Sequence, residues 1–221
     1  MQIREWSWRL LIAVLATFQM SLSSYADVPK NNKKKEHLSP ATKAYQACAT
    51  CHGEAGQGKI GVAPSLDTKS FWSVVSDKQF EEMVRKLHTQ TNFAEDAANL
   101  KSKKIKKIIA MLRKTPVGDP LSLNNNAASG NHDSGKEKYA KICAMCHGAS
   151  GLGYRENANA PAIRSQEFLS LVSDGYLRHM LKHGKEETMM RSFTPGSVTS
   201  WAALTDTEIE DIIVFLRSSG K

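Results

Sequence analysis

The sequence has little cysteine, scarce strand signals and, after residue 22, no long apolar run. Only four cysteines occur among the 221 residues. No segment beyond residue 22 is apolar enough to cross a bilayer, so we expect no membrane span in the rest of the chain. The alternation of apolar and polar residues that is typical of strands is also rare, which argues against a sheet-based fold and favours an all-α chain.

All four cysteines lie in two copies of one motif, Cys-x-x-Cys-His-Gly. The copies contain Cys48, Cys51 and His52 (the first site), and Cys143, Cys146 and His147 (the second site). Two thiols at this spacing can form thioethers to one porphyrin, and the histidine that follows can ligate its iron. A disulfide, a redox dithiol and a zinc knuckle are the alternatives, but a duplicated motif with no cysteine left over favours none of them. The sequence therefore predicts two covalently bound haem c groups.

Residues 1–26 have the features of a secretory signal. Arg4 and Arg9 precede a mostly apolar run at 10–22, and Ser24 and Ala26 place small residues at the two positions that a signal peptidase reads. An uncleaved membrane anchor is the alternative, but the run is shorter than the roughly 20 residues that a spanning helix needs. We therefore expect cleavage after Ala26, no stable membrane span afterwards, and a periplasmic location, because haem is attached to such proteins after export.

The chain is basic, with 30 lysines and arginines against 22 acidic residues and a formal net charge of +8. Basic proteins bind nucleic acid, anionic membranes or acidic proteins. An exported haem protein rarely meets nucleic acid, so we predict acidic protein redox partners and no nucleic acid. One cluster of lysines is either the solvated face of a helix or a docking surface for such partners; it contains Lys101, Lys103, Lys104, Lys106 and Lys107.

An internal repeat divides the chain into two halves. Residues 63–83 align with residues 160–180 at a constant offset of 97 residues, so that Phe71 stands opposite Phe168, and the two haem motifs are 95 residues apart. The repeat predicts two small haem domains. We place a signal peptide at 1–26, a basic arm at 27–37, a first domain at 38–114, a linker at 115–133 and a second domain at 134–221.

Each half ends in a segment with the apolar spacing of an amphipathic helix. The spacing predicts helices over Lys101–Arg113 and Thr205–Arg217. Thr205 and Glu208 also have the spacing of a capping box, which marks the start of the second of these helices.

The haem motifs, the Gly-rich loops after them and the prolines that follow resemble class I cytochrome c domains, and the whole chain resembles a diheme cytochrome c. The resemblance covers residues 38–114 and 134–218, and it implies two tandem class I cytochrome c-like haem domains. It also implies that Pro64 and Pro161 bind next to the haem, where each proline carbonyl accepts a hydrogen bond from Nδ1 of the proximal histidine.

The resemblance further implies a distal methionine ligand in the second half. Residues 184–193 resemble the family's ligand loop, in which the methionine follows a glycine and precedes an aromatic residue. Here those residues are Gly184 and Phe193, which selects Met190. Its neighbour Met189 is the alternative.

The first half has no methionine at the matching position, because Phe93 stands opposite Met190 in the 97-residue alignment. An iron at the first site still needs a sixth ligand, and His88 is the candidate that lies near this position in the sequence. We therefore predict His88 as the distal ligand. Met83, an open or water-bound position, His37 and a lysine remain as alternatives.

Unequal ligands predict unequal potentials, because a thioether favours ferrous iron more than an imidazole does. We expect a low-potential first haem, a high-potential second haem with His147 and Met190 as ligands, and a periplasmic diheme cytochrome c that transfers electrons between redox partners. The alternative is a diheme oxidoreductase or a sensor that acts on a small molecule at an unusually ligated first haem. Thiosulfate dehydrogenases of this kind use a cysteine ligand, and this chain has no fifth cysteine.

Overall fold

The computed structural model describes residues 38–89, 91–113, 118–198, 200 and 202–218. The predicted signal peptide (1–26) and basic arm (27–37), with His37, lie outside these residues, as does part of the predicted linker. The described residues belong to one compact unit, Leu38–Lys221. Among them, no helix has both the length and the apolarity needed to cross a membrane.

The described part of each half is built from helices joined by loops. The first half contains α1 (Pro40–His52), α2 (Lys69–Trp72), α3 (Asp77–Lys86), α4 (Ala94–Asn99) and α5 (Ser102–Leu112). The second half contains α6 (His132–Lys138), a π-helical turn (Tyr139–Cys143), α7 (Ala144–His147), a 3₁₀ turn (Gly153–Glu156), α8 (Gln166–Leu171), α9 (Asp174–His183) and α10 (Asp206–Arg217). No strand forms within the described ranges, and the predicted helical class is confirmed for them.

Side-chain caps begin the helices at matching positions of the repeat. The Ser76 hydroxyl accepts a backbone N–H at the start of α3, and the Ser173 hydroxyl does the same for α9. The capping box predicted from Thr205 and Glu208 is confirmed at the start of α10.

The last helix of each half buries the apolar face that its sequence predicts. The buried positions are Ile105, Ile108, Ile109 and Leu112 in α5, and Ile209, Ile212, Ile213 and Leu216 in α10. Their spacing of three and four residues places them on one side of the helix, where they leave water together. In α5 the lysines between these positions are exposed, whereas in α10 Asp211 is buried as well.

This last helix packs against the first helix of the same half, α5 on α1 and α10 on α6. The second of these crossings is close because α6 contains Gly135. A Cβ at this position would lie 1.9 Å from the Asp211 carbonyl oxygen and 2.4 Å from its carbon. Only a residue without a side chain therefore allows the two helices to approach so nearly.

An ion pair fixes the last helix to the middle helix at equivalent positions. Arg113 Nη2 lies 2.7 Å from Asp77 Oδ1 in the first half, and Arg217 Nε lies 2.6 Å from Asp174 Oδ1 in the second. The repeat found in the sequence therefore extends to tertiary contacts.

The described part of the predicted linker, 118–133, is hydrogen-bonded to the second half. The Ala128 N–H donates to Asp174 Oδ2, and the Asn131 N–H donates to Asp211 Oδ1, each over 2.6 Å. Asn131 also caps α6, which begins at His132, two residues inside the segment predicted as a linker.

The two halves also touch each other directly. Gln79 Nε2 donates to the Leu171 carbonyl over 2.9 Å, and the Gly61 N–H donates to the Asn159 carbonyl over 3.3 Å. The second contact joins the Gly-rich loop of one half to the corresponding loop of the other.

The crossing of α6 and α10 generates a stability prediction. Gly135→Ala should lower the free energy of unfolding by about 1–3 kcal/mol, because the added methyl overlaps Asp211 backbone. This loss should outweigh the gain of about 1 kcal/mol in helix propensity from glycine to alanine. Denaturant unfolding of the purified variant and of the wild-type protein measures the difference in their free energies of unfolding.

Gly118→Ala is the matched control, since a Cβ at Gly118 would meet nothing within 4 Å. It should change the free energy of unfolding by no more than about 0.5 kcal/mol. Equal stability of the two variants would contradict the close crossing.

Candidate functional site

Each haem motif lies at the end of a helix that stops at the motif's histidine. His52 is the last residue of α1 and His147 the last of α7. The next residues, Gly53 and Gly148, have φ angles of 80° and 83°. Glycine adopts this conformation without strain, so the chain turns sharply after the histidine and runs back beneath it.

A buried tyrosine holds this turn in both halves. The Tyr45 hydroxyl donates to the carbonyl of the glycine after the first histidine over 3.0 Å, and the Tyr139 hydroxyl does so after the second over 2.7 Å. Tyr139 is one residue further from its cysteines than Tyr45 is. The π-helical turn Tyr139–Cys143 absorbs that extra residue, so both tyrosines reach the same place.

The imidazoles of the two motif histidines are oriented in the same way. His52 Nδ1 lies 2.8 Å from the Pro64 carbonyl oxygen, and His147 Nδ1 lies 2.8 Å from that of Pro161. A carbonyl can only accept, so Nδ1 carries the proton and Nε2 is left with a free lone pair. Burial lowers the pKa of both histidines, although the proline bond acts in the opposite direction. The neutral imidazole favoured by burial is the form that ligates a metal.

The four motif cysteines are free thiols in the structure. Burial raises the pKa of Cys143 to about 12, and it raises the pKa of Cys48 against an opposing effect of the Lys104 ammonium. Metal ligation and thiol–disulfide exchange both use the thiolate, which these surroundings disfavour. Burial therefore favours the protonated form of these two thiols, and thioether formation leaves their sulfur atoms uncharged.

His88 follows α3 and lies near the first-site histidine. The centres of the His52 and His88 rings are 6.2 Å apart, with 62° between the ring planes. His88 Nδ1 lies 2.7 Å from the Val84 carbonyl oxygen, so in the neutral ring the lone pair is on Nε2. Phe93, the residue opposite Met190 in the repeat, packs edge-on against His88 at 5.7 Å.

The separation of these two rings fits a pair of ligands on opposite sides of one metal ion. A metal–imidazole bond is about 2.0–2.1 Å in zinc sites, and the bonded nitrogen is ~1.1 Å from the ring centre. If both rings bound one metal ion through Nε2 from opposite sides, their centres would lie about 6.3 Å apart. The angle between the planes does not affect this distance, because each ring can rotate about its own metal–nitrogen bond.

The two candidate methionines of the second half have different surroundings. Met190 is partly buried and packs against the hydrophobic core, whereas Met189 is 57% exposed. The Met190 backbone is also fixed on both sides, since its N–H donates to Thr188 Oγ1 and its carbonyl accepts from the Lys185 N–H. Met83, the methionine considered for the first half, lies buried within α3 in the core.

Sequence reasoning missed two features of this region. The helix α4 lies in the segment after His88, where the sequence patterns predicted no helix. Lys185 of the second half is half-buried against the first half, where its Nζ donates to the Ser65 carbonyl over 2.7 Å. Burial lowers the pKa of Lys185 to about 8. A contact between residues 120 positions apart in the chain cannot be predicted from a local sequence pattern.

One comparison bears on these sites. A family model described as Cytochrome c matches residues 132–220. The match covers less than half of the chain, and it includes the second haem motif, Pro161 and Met190. The second half is therefore a cytochrome c domain, and such a domain carries covalently bound haem c and serves electron transfer.

Proposed function

We propose that the chain is a periplasmic diheme cytochrome c that transfers electrons between protein redox partners, with a haem c in each half. In this proposal Cys48 and Cys51 attach the first haem, and Cys143 and Cys146 attach the second. His52 and His147 are the proximal ligands, and Pro64 and Pro161 orient them.

The observation that carries the proposal is the repetition of the histidine–proline geometry. The cytochrome c family match covers only the second half. The first half nevertheless has the same thiol spacing, the same glycine after the histidine and the same 2.8 Å contact from Nδ1 to a proline carbonyl. A chain segment without a haem would have no physical reason to retain all three.

Haem c supplies reversible one-electron chemistry when it is bound. The protein's own contribution is to fix the imidazoles and to exclude water. The proline carbonyl holds each proximal ring in one orientation and raises its basicity. Burial lowers the pKa of His52 and His147 and so favours the neutral rings.

The distal ligands differ between the halves. We assign His88 to the first haem, on the 6.2 Å spacing of its ring from His52, and Met190 to the second, on its burial beside the exposed Met189. Since a methionine ligand raises the potential of a haem relative to a second imidazole, the first haem is the low-potential site. Electrons then pass from the first half towards the second.

The lysine cluster of α5 is the proposed docking surface for acidic partners. All five lysines, at 101, 103, 104, 106 and 107, are exposed. Lys104 lies near enough to Cys48 for its charge to affect that thiol, so the cluster borders the first site. Exposed charges of this kind accelerate encounter with an oppositely charged partner at low salt, and they act more on the rate than on affinity.

The number of haems tests the proposal most simply. Protein made in a bacterium that matures c-type cytochromes should retain two haems after denaturation, because thioether bonds survive unfolding. Mass spectrometry of the denatured chain measures this number.

The cysteine variants are the controls for this count. Changing Cys143 and Cys146 to alanine should remove one haem, and changing Cys48 and Cys51 should remove the other. A wild-type chain with a single haem, unaffected by the changes at Cys48 and Cys51, would contradict the proposal for the first half.

Met190 generates a prediction for the second haem. Met190→Ala should abolish the weak absorption band at the red end of the spectrum that arises from a sulfur–ferric iron bond, and it should lower the potential of this haem. Met189→Ala is the matched control and should leave both unchanged. The assignment is wrong if the two variants exchange these effects.

His88 generates a prediction for the first haem. A redox titration should show two separated waves, and His88→Met should raise the lower one, because a thioether replaces an imidazole. His183→Met, at an exposed position of the second half, is the control and should leave the lower wave in place.

Carbon monoxide binding distinguishes an electron-transfer cytochrome from the alternative, an oxidoreductase or a sensor. It should bind the reduced wild-type protein slowly, since a strong imidazole ligand must first leave the first haem. Rapid binding would mean that this haem has an open position. The open position would favour an oxidoreductase or a sensor, because substrate or gas chemistry at iron requires one.

A further inference from the structure

Lys185 belongs to the second half, but its side chain is bound to the first. It follows α9, and its ammonium nitrogen donates to the Ser65 carbonyl over 2.7 Å and lies 5.2 Å from the centre of the Phe71 ring. The next residue, Glu186, accepts the Ser70 backbone N–H over 2.9 Å. Two successive residues of one loop therefore hold one short segment of the other half.

The backbone of Lys185 is fixed to the proposed distal ligand of the second site. Its N–H donates to the Met190 carbonyl over 2.7 Å. The glycine before it, Gly184, has a φ of 68°, and a Cβ there would lie 2.5 Å from the same carbonyl oxygen. The loop thus closes tightly on itself between Lys185 and Met190.

The side chain of Lys185 is bound next to the residue that orients His52, the proposed proximal ligand of the first site. Ser65 directly follows Pro64, whose carbonyl accepts the hydrogen bond from His52. The Ser65 hydroxyl also donates to Asp67 Oδ1 over 3.0 Å. One lysine is therefore hydrogen-bonded to the segment that orients His52 and to the segment that contains Met190.

The first-half segment that receives Lys185 is buried. Ser65, Thr68 and Ser70 are all less than a tenth exposed. A charge in such a place is screened less by water and salt than a charge at the surface, so its field reaches neighbouring groups with more effect.

We propose that Lys185 is a positioning residue that couples the two haem sites, by holding the Pro64–Ser65 segment of the first site while its own backbone is bound to Met190 of the second. The inference rests on the proposed function, since it requires a haem in each half. The positive charge of the Lys185 ammonium opposes the more positive, oxidised state of a nearby haem. Lys185 therefore raises the potential of the first haem, and coupling between two sites is reciprocal.

Lys185→Met tests the inference on the whole protein. It should lower the equilibrium constant for reduction of the first haem about tenfold, which is about 59 mV for one electron. In this variant the Asp67 carboxylate no longer has the Lys185 ammonium near it, and this change also lowers the potential of the first haem. Lys136→Met removes one exposed positive charge from the second half and should leave the potential of the first haem unchanged.

Two further variants separate charge from packing. Lys185→Gln keeps an N–H donor for the Ser65 carbonyl without the charge and should lower the same potential, whereas Lys185→Arg should restore it. Should Lys185→Met fail to fold, the comparison of glutamine with arginine decides in its place. Equal first-haem potentials in the glutamine, arginine and wild-type proteins would overturn the inference.

A double-mutant cycle tests the coupling itself. Met190→Ala keeps the backbone bond to Lys185 but removes the side chain that packs this loop against the core, so it should shift the potential of the first haem in the wild-type background and have a smaller effect in the Lys185→Gln background. Equal shifts in the two backgrounds would also overturn the inference. A chain that contains only one haem would instead refute the proposed function, so the two failures are distinguishable by haem content.

Discussion

Each half of the molecule depends on one hydrogen bond, from Nδ1 of a histidine at a helix end to the carbonyl of a proline. His52 and Pro64 form it in the first half, and His147 and Pro161 form it in the second. The positive-φ glycine and the buried tyrosine fix the histidine's side of the bond. Backbone hydrogen bonds that close each Gly-rich loop fix the proline's side. The same bond leaves Nε2 free in both halves, which is what a proximal haem ligand requires.

The two halves differ on the opposite side of these histidines. After α9 the second half has an irregular loop that turns at Gly184 and contains Met190, whereas after α3 the first half turns at His88 and continues into α4. The scaffold is repeated, but the proposed distal ligands are not. In the proposed function, this difference would place two haems at different potentials on one scaffold and so give electron transfer a direction. The Lys185 side chain joins the loop that contains Met190 in one half to the segment next to Pro64 in the other.

The sequence predicted best what local patterns determine. The motif spacing, the capping box at Thr205 and the buried faces of α5 and α10 follow from residues close together in the chain. The contact of Lys185 with Ser65 could not be predicted, because it depends on how the halves pack and has no local signal. The helix α4 was also missed: its six residues are too few to show helical periodicity, and it begins without a side-chain cap. The candidate ligand His88 was found by elimination, and only the structure supplies its distance from His52.

The central claim is that two haems share one scaffold and differ in their distal ligands. Low-temperature electron paramagnetic resonance of the fully oxidised protein tests this most directly, since it distinguishes iron with two imidazoles, iron with an imidazole and a thioether, and high-spin iron. The account predicts two low-spin ferric signals of equal intensity, one of each ligand type, and His88→Met should convert the first type into the second. A single low-spin signal, or a high-spin signal from half of the iron, would contradict it.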